Sequence, residues 1–199
     1  MVRLTRIAVA GLLLTGAIGC SSASKYSRRV AHVDTEPGDD EVVVVFARLL
    51  EYGATMHASV FECWDEERSQ LVGLVADGQK VVHRTTPGEH LFMVVGGSAD
   101  FMHAHFDAGN VYYVLVKPGM DGWRTHFSLQ PVHAADRPKL KGWLARTFWI
   151  ENTPASQRWA QQNATDIENK RSRYYPPWRR KPSEERPTLH AADGLSEAQ

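Results

Sequence analysis

Residues able to do chemistry are sparse in this chain, and three groups of them stand out. In ADFMHAHF, His103 and His105 occupy alternate positions. Alternate residues of a strand share a face about 7 Å apart. Two imidazoles at that spacing can chelate a cation once a third ligand arrives from a neighbouring strand, His126 or His90 here. The same pair also reads as ordinary surface histidines beside Phe101. Between Glu168 and Pro187, seven basic residues outnumber three acidic ones and are interleaved with Tyr174, Tyr175 and Trp178. Arg171, Arg173, Trp178, Arg179, Arg180 and Lys181 thus form a basic-aromatic run suited to a polyanion, to anionic headgroups or to a protein partner. The alternative is a solvated helix end whose aromatics pack back onto the body. The third group is a single thiol, Cys63 in SVFECWDEE, on an apolar strand pattern that reads as a buried, inert cysteine.

The catalytic vocabulary is thin. The chain contains no nucleophile-elbow motif, no glycine-rich phosphate loop, no HExxH and no paired-cysteine zinc pattern. Its carboxylates are scattered through turns. The expectation is a non-enzyme without a cofactor, with a metal or small-ligand carrier using His103 and His105 as the alternative. Lys and Arg total 23 against 23 Asp and Glu, so the balance carries no nucleic-acid signature.

Location is written at the amino end. Arg3 and Arg6 precede an apolar run from Ile7 to Ile18, the layout of a secretory signal. A helix over that run would reach about 18 Å, at ~1.5 Å per residue, against a hydrocarbon core of roughly 30 Å, too short to span it comfortably. Ala17-Ile18-Gly19-Cys20 resembles the lipobox of bacterial lipoproteins. That resemblance implies a diacylglycerol thioether on Cys20, cleavage before it and acylation of the new amine. Multiple acyl chains hold a protein firmly to a bilayer where one does not. Ser21 and Ser22 follow without an aspartate, which by resemblance to enterobacterial sorting favours the outer membrane, facing the periplasm, over the inner one. With Cys20 lipidated, Cys63 has no cysteine left to pair with.

The elements that must position these groups are mostly strands. Residues 1–19 read as signal peptide and 20–40 as a flexible polar tether. From Glu41, EVVVVFARLL is β-branched and continuous, as in a strand covered on both faces. Pro87-Gly88 marks a turn between strand-like runs. DAGN at 107–110 reads as a hairpin connection, and VYYVLVKP after it is strongly β-prone. The spacing predicts an antiparallel β-sandwich of about seven strands over 41–132. Parallel pairing is not expected, because no helical pattern separates the strands. Residues 133–151 read as a linker and packing segment, with WLARTFWI a last strand or a short helix. Residues 152–175 read as a C-terminal helix, capped by Asn152 or Thr153, started by Pro154 and stopped by Pro176-Pro177. Residues 176–199 read as an extended basic tail.

One stretch carries a family resemblance. Pro87-Gly88-Glu89-His90 leads into a strand, a short strand ends in an acidic residue and Gly109, and Val111-Tyr112-Tyr113-Val114 follows. Over 41–132 the chain resembles small bacterial lipoproteins of unknown function with a DUF2846- or PEGA-like β-sandwich. A less specific likeness covers Arg186-Pro187-Thr188-Leu189 and Asp193-Gly194-Leu195. The resemblance implies a fold and an envelope location, and no catalytic residues.

Overall fold

The computed structural model describes residues 25–50, 56–65, 68–121 and 124–196. The signal segment, Cys20 and Trp123 lie outside the described residues. The chain is mainly β, with eleven strands among the described residues: β1 (Ser27–Arg29), β2 (Val42–Ala47), β3 (Ala58–Cys63), β4 (Ser69–Val75), β5 (Gln79–Thr85), β6 (Gly88–Val95), β7 (Ala99–Phe106), β8 (Asn110–Asp121), β9 (Arg124–Pro131), β10 (Phe148–Asn152) and β11 (Thr188–Leu189). They build two stacked sheets, ordered β1-β10-β5-β2-β8-β9 and β11-β7-β6-β3-β4. Three α-helices are added among the described residues, α1 (Arg137–Ala145), α2 (Pro154–Gln162) and α3 (Ala164–Arg179). No helix among the described residues is long and apolar enough to cross a membrane.

Both sheets are mixed, which corrects the expectation of seven antiparallel strands. β2 runs parallel to β8, β10 to β5 and β11 to β7. Parallel neighbours need a crossover, usually a helix. Here β6 and β7, in the opposite sheet, carry the chain from β5 to β8, so a parallel pair arises with no helical pattern in between. The same topology overturns the hairpin at 107–110, because β7 and β8 belong to different sheets. The connection is an arch, held by the Gly109 N–H donating to Glu41 O at 2.9 Å and by the Asp107 N–H donating to the Tyr112 hydroxyl at 2.9 Å. Gly109 sits at φ 70° and Gly88 at φ 117°, backbone that favours glycine.

Three apolar clusters explain the layering. Val42, Val44, Phe46, Val60, Phe92, Val94, Met102, Tyr112 and Val114 fill the space between the sheets. Phe61, Cys63, Leu71, Met93 and Phe101 face outward from the five-stranded sheet and are covered by Ile167 and Trp178 of α3. Ala47, Leu49 and Leu115 face outward from the six-stranded sheet and meet Leu140 of α1. β2 is therefore buried on every residue, as its unbroken apolar run requires. Tyr112 points inward and Tyr113 outward onto the α1 cluster.

The segment boundaries shift at both ends. Residues 25–40 are not a free tether throughout: β1 pairs antiparallel with β10, and Arg84 bonds Asp34 O, Glu36 O and the Glu41 carboxylate. Residues 133–151 hold α1 and most of β10 rather than a plain linker. The expected single helix breaks at Asn163 into α2 and α3. Thr153 caps α2, its hydroxyl accepting from the Ala155 N–H at 3.3 Å, with Pro154 at the first turn. Pro176 and Pro177 do not stop α3, which runs through both to Arg179. Proline disfavours a helix interior by removing a donor and crowding the preceding turn, but here Trp178 is buried against Phe101 and Tyr175, and that packing outweighs the local cost. The tail beyond is structured too, with β11 joining β7 and Leu195 bridging to Val111.

Candidate functional site

His103 and His105 lie on the outward face of β7, as alternation requires, but they turn to different partners. The His103 ring packs on Trp178 at 5.0 Å between centroids, and burial, with Arg186 beside it, lowers its pKa. His105 donates from Nδ1 to the Glu89 carboxylate at 2.7 Å. His90, one suggested third ligand, points into the sandwich, and no three His, Cys, Asp or Glu side chains among the described residues form a metal-binding group.

The basic-aromatic run also divides. Arg171 is buried on α3 and donates to Asp65 O. Trp178 is 3% exposed. Both hold α3 to the five-stranded sheet, so neither is available as a surface contact, correcting their place in the run. Arg173, Arg179, Arg180 and Lys181 remain exposed. Cys63 is a free, buried thiol whose pKa burial pushes up to about 11, in keeping with an inert cysteine.

A groove of about 870 Å³ lies beside β9. Ser128 to Pro131 form one wall, and Ser183 to Thr188 with His190 form the other. Asp193, which is 8% exposed, holds His133 and His190 of its lining. The Asp193 carboxylate accepts from the Ala134 N–H at 3.1 Å, the His190 N–H at 2.9 Å and His133 Nδ1 at 2.9 Å. Burial alone would raise its pKa, but these donors together bring it below the ordinary value. His133 lines the groove, held in orientation by Asp193, and stacks on His190 with ring centroids 6.1 Å apart. An Asp-oriented imidazole can act on a nucleophile within hydrogen-bond reach. The groove hydroxyl of Ser183 donates instead to Glu184. The groove is a surface of hydroxyl, amide, imidazole, guanidinium and, at Glu184 and Glu185, carboxylate groups, suited to hydrogen-bonding an extended polar chain.

A second polar constellation lies inside the sandwich. Glu62, on the inward face of β3 and 1% exposed, accepts from His83 Nε2 at 2.7 Å, Thr85 Oγ1 at 2.9 Å and His90 Nδ1 at 2.5 Å. His90 Nε2 in turn donates to Thr86 O at 2.8 Å. Desolvation pushes the Glu62 pKa up, yet the hydrogen bonds from His83 and His90 win and hold the carboxyl well below the usual range. The cluster joins β3, β5 and β6 across the two sheets. Arg48 is the other buried charge, fully enclosed, bonded to Met56 O at 2.6 Å, Val75 O at 3.2 Å and Asp77 at 2.7 Å. Its guanidinium lies 4.7 Å from the Phe127 ring. Sequence reasoning missed both groups. The signal for Glu62 was its alternation with Ala58 and Val60, which puts a carboxylate on an apolar face.

No protein-family model matches the chain, and no curated protein matches it significantly.

Proposed function

We propose that this protein is lipid-anchored through Cys20 in the cell envelope, on the periplasmic side of the outer membrane, and acts as a non-catalytic binding or assembly module. Its contact is an extended segment of an envelope partner laid along β9. The reading joins the lipobox-like Ala17-Ile18-Gly19-Cys20, and the likeness to small lipoproteins with a DUF2846- or PEGA-like sandwich, to one structural observation.

That observation is the edge at β9. An uncovered edge strand offers unpaired backbone groups to another chain, and proteins blunt their edges when pairing is unwanted. Here β1 ends the six-stranded sheet on one side with three residues, and β11 ends the five-stranded sheet with two. β4 is bridged to β10 by the Asn152 amide donating to Val72 O at 2.8 Å. β9 is a terminal strand eight residues long, with no strand beyond it among the described residues and the polar groove alongside. Strand addition would supply affinity through the main chain and specificity through groove side chains.

The test has two arms. Membranes fractionated from cells making the parent or Cys20→Ser should retain the first and release the second; equal retention removes the anchor. A photo-crosslinking residue at Thr188 should give an adduct in the parent that is lost in Ser128→Lys/Gln130→Lys, with melting temperature unchanged. An adduct of equal yield in both removes β9 as the contact.

A further inference from the structure

With Cys20 as the anchor, the first described residues bear on which side of the body meets the bilayer. Cys20 is five residues before Lys25, and a fully extended chain spans at most about 3.3–3.6 Å per residue, so roughly 18 Å separates the anchor sulfur's residue from Lys25 at full stretch. Lys25 is held to the body. Thr153 donates from Oγ1 to Lys25 O at 2.7 Å, the Thr153 N–H donates to Tyr26 O at 3.2 Å, and the Tyr26 ring sits edge-on to His57 and Trp159, at 6.2 and 6.3 Å.

The surface around that attachment has the composition of a membrane-facing patch. His57, against Tyr26, follows Met56, whose carbonyl is bound by Arg48, two residues before Leu50. The apolar side chains of Met56 and Leu50 are 48% and 74% exposed. Lys25, Arg28 and Arg29 are exposed on the same chain segment; Glu151 pairs with Arg28, and Lys25 and Arg29 lie over the Tyr26 and Phe148 rings. Aromatic rings and lysine or arginine side chains collect at bilayer interfaces, and basic residues near a negatively charged leaflet are attracted to it.

We propose that the corner formed by Lys25–Arg29, Leu50 and Met56 docks on an anionic phospholipid surface, with Leu50 and Met56 entering the headgroup boundary and the basic side chains meeting phosphates. This rests on the anchored reading above. Docking leaves the β9 groove, on the opposite edge of the six-stranded sheet, turned away from the bilayer and open to a partner.

The test uses the full-length lipidated protein with Cys63→Ala, carrying Leu50→Cys, Met56→Cys or Glu184→Cys, each labelled with an environment-sensitive fluorophore. The proteins are reconstituted into phosphatidylethanolamine–phosphatidylglycerol vesicles containing phospholipid with a spin label near the headgroup. Interfacial docking places groups within about 5–10 Å of the headgroup–acyl boundary, so quenching at positions 50 and 56 should exceed that at 184 by at least about twofold. Adding Lys25→Glu/Arg28→Glu/Arg29→Glu should bring positions 50 and 56 down to the level of 184. Equal quenching at all three positions, or stronger quenching at 184, overturns the docking while a diacylglycerol mass on Cys20 leaves the anchor standing. Absence of that mass overturns the anchor, and the docking with it.

Discussion

Glu62→Gln keeps the shape of the side chain and removes its charge, so it isolates what the carboxylate contributes inside the sandwich. Glu62 receives hydrogen bonds from His83, Thr85 and His90, and glutamine retains only one acceptor oxygen for these three donors. Removing one partner of a buried charged constellation costs about 3–5 kcal/mol, because the remaining groups stay desolvated and poorly matched. The surviving amide oxygen puts the expectation near the lower end, about 3 kcal/mol, which at roughly 2–4 °C per kcal/mol for a domain of this size lowers the melting temperature by about 6–12 °C. The pH dependence gives an independent check. The folded-state pKa of Glu62 lies below its ordinary 4.5, so the unfolded chain takes up the proton first as pH falls. The stabilisation is complete well above pH 4.5 and is lost progressively below it, as pH falls toward the folded-state value. Thermal melts of parent and Glu62→Gln at pH 7, 5 and 3 should show the widest gap at pH 7 and a narrowing gap at pH 3. A variant melting within about 2 °C of the parent at pH 7 would mean that the cluster contributes under about 1 kcal/mol, and the reasoning would fail.

Three further outcomes follow from other buried groups. Cys63, with its pKa raised to about 11 by burial, should resist iodoacetamide in the native protein at pH 8 and react fully in denaturant; alkylation of the folded protein at a free thiol's rate would contradict its burial. Arg48→Met should lower the urea midpoint by the equivalent of about 3 kcal/mol, because Asp77 and two carbonyls lose a shared donor; an unchanged midpoint would show the apolar contact with Phe127 to be sufficient. Asp193→Asn should raise amide exchange at residues 188–195 while leaving β2 and β8 protected, since the carboxylate ties the C-terminal segment to Ala134 and His190. The same loosening should appear in the parent under acid, because a carboxyl with a lowered folded pKa stabilises above its ordinary value and less as pH falls.

Legibility in the sequence followed the period of the pattern. β2 was readable because five of its six residues are Val or Phe, and a strand buried on both faces needs no alternation. Pro87-Gly88 and the Tyr112/Tyr113 alternation likewise report local geometry. What sequence pattern cannot carry is which sheet a strand joins: β7 and β8 look like a hairpin until the inward Tyr112 hydroxyl donates to Ala191 O at 3.1 Å and the arch is seen to cross between sheets. The same limit hid the tail. Proline propensity argues for a stop at residue 176, and only the contact between Trp178 and Phe101, over seventy positions apart in the chain, supplies the packing that carries α3 through it. Of the sequence-derived site residues, Arg171 and Trp178 are taken up by the packing of α3, because basic and aromatic composition describes a surface only when nothing in the fold needs those side chains.

The edges of the two sheets show how the rest of the chain is spent. β1 and β10 come from outside the 41–132 core, and both extend the six-stranded sheet past β5; β11, from the C-terminal segment, extends the other sheet past β7. Three separate segments thus cover strands that would otherwise be free, and two of the resulting outer strands are only two and three residues long, lengths that blunt an edge. The C-terminal segment passes close enough to β9 to form the far wall of its groove, yet it pairs with β7 instead. A chain able to cover β9 from that position leaves a polar channel beside it, lined on one side by Ser128 and Gln130 and on the other by Arg186 and Thr188. Ser128 and Gln130 line the β9 wall of that channel, which is why substitutions there bear on the proposed contact more directly than changes anywhere in the basic run of α3.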